Sequence, residues 1–172
     1  VTMGFVDDDL RGATGMLWSV KGSFLDYVAA QPDSDMTQPQ ADFLGRPAFY
    51  FAVAPRNGGS DAPEAGSVCF SGCARFKAHD GALEATVSNP SISVGEGGTS
   101  LFIDAPGTAT GRMALARLSE TEKATVDGLP ATIWNSVVLT MEGSDLFGGY
   151  YNPRTRLAPL AVLQEDRLKP TA

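Results

Sequence analysis

Apolar residues along this chain come in short runs whose spacing differs from one run to the next. Over 16–30, Leu17, Val20, Phe24 and Val28 recur three or four residues apart, the period of a helix with one buried face. The spacing predicts a helix there despite Gly22, ended by Gln31-Pro32-Asp33. Ser23 and Tyr27, four residues apart, then lie one turn from each other on the same face. Residues 31–46 show no period and read as an irregular loop. Residues 48–54, Ala-Phe-Tyr-Phe-Ala-Val-Ala, form a continuous apolar run of strand length, followed by a polar loop over 55–63. Strands over 66–78 and 82–88 read as a hairpin with His79 at its corner, and Asn89-Pro90 closes the second strand as a turn. Shorter strands are predicted over 91–94, 100–104, 112–118 and 131–141, then a short helix or turn within 146–160 and a last strand over 160–163.

Short strands with turn residues between them predict a mainly β chain: an antiparallel β-sandwich or barrel-like domain with one or two short helices. That single domain is expected to span 16–163, after an N-terminal segment over 1–15 and before a polar tail over 164–172.

Composition narrows the function. Hydrophobic residues at 43% and charged residues at 19% are globular values. A net charge of −7 with no basic stripe argues against nucleic acid as a partner. No apolar run reaches the length of a membrane span, and no signal peptide is evident. An exported protein would then begin before this sequence and carry any anchor beyond it.

Candidate chemistry is sparse. Cys69 and Cys73, four residues apart, would lie about 13 Å from each other on a regular strand, too far for a disulfide unless Gly72 marks a bulge that shortens the gap. With one histidine and two cysteines, a zinc site would need carboxylates at a spacing that is not seen. The cluster Gly95-Glu96-Gly97-Gly98 lacks the Gly-Lys-Ser/Thr and the following helix of a phosphate loop, and no nucleophile elbow or His-Glu-x-x-His occurs. A lone histidine at a hairpin corner is ordinarily a polar turn residue, and a single tyrosine is ordinarily core or an interface edge. Tyr27, Tyr150 and Tyr151 nevertheless stand out, the last two following Phe147-Gly-Gly.

Three blocks together resemble the HtaA-type conserved-region domain, a haem-binding module of surface and secreted haem-uptake proteins in Gram-positive bacteria. The first is Leu17-Trp-Ser-Val-Lys-Gly-Ser-Phe-Leu-Asp-Tyr27. The second runs from Val68-Cys-Phe-Ser-Gly through His79-Asp-Gly-Ala-Leu83 to Val87-Ser-Asn-Pro90. The third is Phe147-Gly-Gly-Tyr-Tyr151 with Leu157-Ala-Pro-Leu160. They come in the family's order and span most of the chain. The two cysteines depart from the pattern, as does Ala158, where the family commonly has Asp.

The resemblance implies a non-enzymatic domain that binds ferric haem b and relays it at the cell surface or outside the cell. Its partners would be haem, other haem-uptake proteins or host haemoproteins. Residue by residue it implies Tyr27 as the axial iron ligand and His79 as the hydrogen-bond partner of that phenolate. Ser23 would reach a propionate, while Tyr150, Tyr151, Phe147 and Leu83 would wall the porphyrin. A phenolate is a hard donor that favours ferric iron, and a hydrogen bond to its oxygen fixes the ring and tunes its basicity. Arg75, Lys77, Arg112, Arg154 and Arg156 are the candidates to meet the propionates. A β-sandwich carbohydrate-binding or adhesion module without a cofactor is the competing expectation, and it would bury Tyr27 as core.

Overall fold

The computed structural model of the chain describes residues 3–5, 14–32, 34–37, 39, 41–43, 46–53, 67–78, 83–95, 97–105, 111–126, 129–147 and 151–163. In chain order they form β1 (Met3–Phe5), β2 (Gly15–Trp18), α1 (Gly22–Ala30), β3 (Asp35–Met36), β4 (Ala41–Phe43) and β5 (Arg46–Val53). Then come β6 (Ser67–Ser71), β7 (Cys73–Ala78), β8 (Leu83–Ser88), β9 (Ser91–Gly95) and β10 (Gly98–Asp104). The chain continues through β11 (Arg112–Val126), β12 (Leu129–Leu139), α2 (Met141–Leu146), β13 (Arg156–Leu157) and β14 (Leu160–Leu163).

Antiparallel neighbours follow in the order β5, β2, β14, β12, β11, β10, β9, β6, and β6 pairs back onto β5. The result is a closed eight-stranded barrel, which pairs the backbone groups that open edges would leave unpaired. Beside it β3, β7 and β8 make a separate three-stranded sheet. The alternation in β7 is clean: Ala74, Phe76 and Ala78 are buried while Cys73, Arg75 and Lys77 are exposed, so one face packs on the core and the other meets water. In β2 both faces are covered. Met16 and Trp18 join the main core, whereas Leu17 packs with Phe43, Ala161 and Leu163 in a smaller cluster on the other side.

Several boundaries differ from the pattern reading. Only the second half of the stretch 16–30 is helix; Met16, Leu17 and Trp18 belong to β2. A strand buried on both faces has no period of two to read, so its residues fell in with the helical spacing of Phe24 and Val28. The loop predicted over 31–46 contains β3 and β4, which are too short to leave a pattern. The strand predicted over 66–78 breaks at Gly72, where φ is 133°, and its halves enter different sheets. β7 and β8 pair as the expected hairpin, from Cys73 with Ser88 to Ala78 with Leu83. β11 runs on to Val126 because its polar half pairs residue by residue with β12. Met141, predicted in a strand, opens α2, where the Thr140 hydroxyl accepts from Gly143 N at 2.9 Å and caps the helix. Both cysteines are free thiols, Cys69 half-buried and Cys73 exposed.

The turn after β8 is pinned by a polar cluster. Asn89 adopts φ 48°, a conformation asparagine tolerates. Its Nδ2 donates to Asp104 Oδ2 at 2.8 Å, and its carbonyl accepts from Arg112 Nη1 at 2.7 Å. Arg112 also pairs with Asp104 Oδ1 at 2.7 Å and donates to Ser91 Oγ. Burial by itself would raise the Asp104 pKa. The hydrogen bonds from Arg112 and Asn89, and the Arg112 charge, outweigh it and hold the carboxyl below the ordinary carboxylate range. A depressed folded pKa stabilises the fold above the unfolded value, near ~4, and that contribution is lost as pH falls through the folded pKa. The Asp104 side chain is 42% exposed, and solvent screening limits the effect to about 1 kcal/mol. Asp104→Asn is therefore expected to lower the urea midpoint at pH 7 slightly and to flatten its fall below about pH 4. Parallel pH curves for the variant and the parent chain would remove Asp104 from this role.

Candidate functional site

Helix α1 turns Phe24, Leu25 and Val28 inward. Phe24 is its anchor, edge-on to Phe76 of β7 at 5.1 Å between ring centroids and to Phe147 at 5.2 Å. Phe49 of β5 extends the aromatic stack through Phe76 at 5.3 Å. Edge-to-face pairs at these separations are favourable beyond the area they bury, so the helix is fixed on a rigid base.

What that base leaves outward is a pair of hydroxyls one turn apart. Ser23 is exposed, and Tyr27 is 42% exposed, unusual for a large side chain at the centre of a packed helix. The chain segment after α2 brings Tyr151 to the same place. Its ring lies edge-on to Phe24 at 6.0 Å and to Phe147 at 5.8 Å, and its carbonyl accepts from Ser144 Oγ at 2.5 Å. Burial raises the Tyr151 pKa, a side-chain hydrogen bond with Ser23 opposes the rise, and the nearby Tyr27 adds to it. Raised mainly by burial, Tyr151 stays a neutral hydrogen-bonding group. Lys21 Nζ stands 5.8 Å from the centroid of the Tyr151 ring, within cation–π range.

Of the residues picked out by sequence, Ser23, Tyr27, Phe147 and Tyr151 are thus brought together. Phe147 is 1% exposed and backs Tyr151 from beneath. Leu83 is the first residue of β8, opposite Ala78. His79 and Tyr150 lie outside the described residues. Among the cations, Arg112 is committed to Asp104 and Asn89, while Arg75 and Lys77 stand on the outer face of β7.

Arg156 faces a cleft at the start of α1, about 410 Å³ in volume, together with Lys21, Ser23 and Arg46. Lys21 and Arg46 escaped the sequence reading. Lys21 carried a weak signal, a cation at a helix start where a carboxylate is favoured; Arg46 carried none, because only tertiary structure brings β5 to the helix. Ala158, where the resemblance led to Asp, contributes through its backbone. Its carbonyl accepts from Trp18 Nε1 at 2.9 Å, and its N–H donates to Val20 O at 2.8 Å.

Chemically, an exposed phenol offers one hard oxygen to a Lewis-acidic metal, and the half-buried Tyr151 ring is the aromatic surface beside it. Among the described residues no three His, Cys, Asp or Glu side chains gather as metal ligands. Among them also, no helix is long and apolar enough to cross a membrane.

The family model described as Htaa matches residues 13–163. No curated protein matches the chain. Among solved structures, the C-terminal domain of HtaA from Corynebacterium glutamicum superposes with a TM-score of 0.58 at 23% identity, over 94% of this chain and 99% of that one. The N-terminal domain of the same protein gives 0.58 at 21% identity, over 89% and 97%. The haem-binding protein HtaB of C. glutamicum gives 0.55 at 16% identity, over 94% and 93%. At these identities the likeness is one of fold.

Proposed function

Because the chain belongs to the HtaA family, we propose that it is a haem-binding domain that takes up ferric haem through Tyr27 and passes it on during haem and iron uptake. The observation that carries this reading is the outward phenol of Tyr27, 42% exposed on a helix otherwise anchored by buried rings, with Ser23 and Tyr151 beside it. The donor set suits ferric iron. Tyr27 supplies a hard anionic oxygen, Ser23 and Tyr151 supply hydroxyls for a propionate, and Phe24 and Phe147 hold the supporting rings in place. His79 is proposed to donate to the Tyr27 oxygen, fixing its ring and tempering its basicity. A single tyrosinate holds ferric haem and disfavours the ferrous state, which suits capture and hand-over rather than oxygen carriage. The same reading places the domain at the cell surface or outside the cell, with other haem-uptake proteins or host haemoproteins as donors and acceptors, and assigns it no catalysis.

The competing carbohydrate-binding reading needs Tyr27 in the core, and the observed exposure removes that support. Titration with hemin is expected to give a Soret band that saturates at one equivalent per chain. A spectrum equal to free hemin at every ratio would overturn the proposal.

A further inference from the structure

The cleft at the N-terminus of α1 gathers positive charge from three directions. Lys21 holds the N-cap position, Arg46 reaches in from β5 and Arg156 from β13. A Cβ at Gly22 would lie 2.9 Å from the Arg46 side chain, so that guanidinium rests against the first helical turn. The turn contains no acidic residue, and Lys21 provides no side-chain acceptor to cap it. Its leading N–H groups and the positive end of the helix dipole therefore add to the cations instead of balancing them. The carboxylates facing this group are Asp26, 3.5 Å from Arg46, and Glu120, 3.8 Å from Arg156, both in exposed pairs. Lys21 Nζ donates to Arg156 O at 3.2 Å. Three cations and a helix end against two carboxylates make a positive site in a chain whose net charge is −7.

A second observation is independent of charge. Ser19 lines the same cleft, is 2% exposed, and its Oγ is a buried side-chain atom with no hydrogen-bond partner among the described residues. Leaving a buried hydroxyl unsatisfied costs on the order of 1–3 kcal/mol. The next residue, Val20, is held at φ 62°, which a β-branched side chain rarely adopts. Strand alternation explains the direction: Leu17 and Ser19 face the Phe43 side, opposite to Trp18. The corner between β2 and α1 thus keeps a strained backbone and an unused donor beside three cations.

We propose that this cleft is an oxyanion site that takes a carboxylate or phosphate group, with Ser19, Lys21, Arg156 and the first-turn amides as donors and Arg46 as supporting charge. Ser23 stands between the cleft and Tyr27, one turn of helix or about 6 Å along its axis. The bound group is then either a propionate of a porphyrin seated at Tyr27 or a free small anion. The site itself does not rest on the haem reading, because it is testable without porphyrin.

The first arm titrates the hemin-free chain with inorganic phosphate and with acetate at constant ionic strength, followed by ¹H–¹⁵N spectra. Saturable shifts are expected at the amides of Ser19, Gly22 and Ser23. The Lys21→Ala/Arg156→Ala double variant, its fold checked by spectral dispersion, is expected to weaken them roughly tenfold. Ser19→Ala, which leaves every charge in place, is expected to weaken them to a smaller extent. The second arm compares hemin with its dimethyl ester. A preference of the parent chain for hemin that disappears in the double variant identifies the occupant as the propionate. Equal binding of both porphyrins, with the phosphate shifts intact, identifies a free anion. Non-saturating shifts together with equal binding of both porphyrins would overturn the site. Absence of a Soret band with either porphyrin would instead strike the haem reading and leave the phosphate arm to decide.

Discussion

Tyr27→Phe is expected to lower hemin affinity by roughly 100-fold or more, because loss of a partner one bond removed from a metal already costs about 10–100-fold. Phenylalanine keeps the ring and the helical position, so the change isolates the phenolic oxygen. Tyr27 is 42% exposed and is not among the buried residues of α1, so stability should move by no more than about 0.5 kcal/mol. Hemin titration in the Soret region, beside a thermal melt, separates the two effects. Full-strength uptake by the variant would mean that the iron is held elsewhere.

The second large effect concerns the base under the site. Phe24 is 2% exposed and touches Phe76, Phe147 and Tyr151 at 5.1, 5.2 and 6.0 Å. Phe24→Ala removes the side chain common to all three contacts, and a cavity of this kind costs about 3–5 kcal/mol. For a chain of this size that corresponds to a fall in Tm of roughly 6–20 °C. The variant should also lose hemin affinity, since α1 and Tyr151 no longer share a rigid support. An unfolding free energy from urea titration within about 1 kcal/mol of the parent chain would show that the aromatic stack rearranges around the gap instead of collapsing.

Strands with a one-sided pattern were legible in the sequence. β7 alternates without a break and the Asn89-Pro90 turn falls where its residues indicate, while β14, buried on both faces, was bounded over 160–163 as a short apolar run between Pro159 and a polar tail. β2 was not, because burial on both faces erases the period that distinguishes strand from helix. The outer half of β11 was missed for the opposite reason: Ser119 to Thr125 are mostly exposed and are held by the register with β12, not by an apolar stripe. At the site, the four-residue spacing of Ser23 and Tyr27 could be read from the helix alone. The arrival of Tyr151 followed from the family resemblance, since no local pattern links positions more than a hundred residues apart. The cleft could not be read at all. Arg156 is one of several candidate cations in the sequence, Lys21 and Arg46 look like solitary surface cations, and Ser19 like one more polar residue at the end of a strand, until the barrel brings them to one place.

The pairing of β14 with β2 sets the order in which this molecule is made. Leu160 lies opposite Trp18 and Leu163 opposite Gly15, and the Trp18 indole is bonded to a carbonyl 140 residues further along the chain. Pairings so distant in sequence carry a high loop-closure cost and come late. β9 to β12, each paired with the next in sequence, can zip up early as a meander, while β2 and α1 stay without their cover until the last strand docks. The partners of α1 beyond β8, Phe147 and Tyr151, belong to that same late segment. A nascent chain therefore acquires its barrel seam and the surroundings of Tyr27 in one closing step.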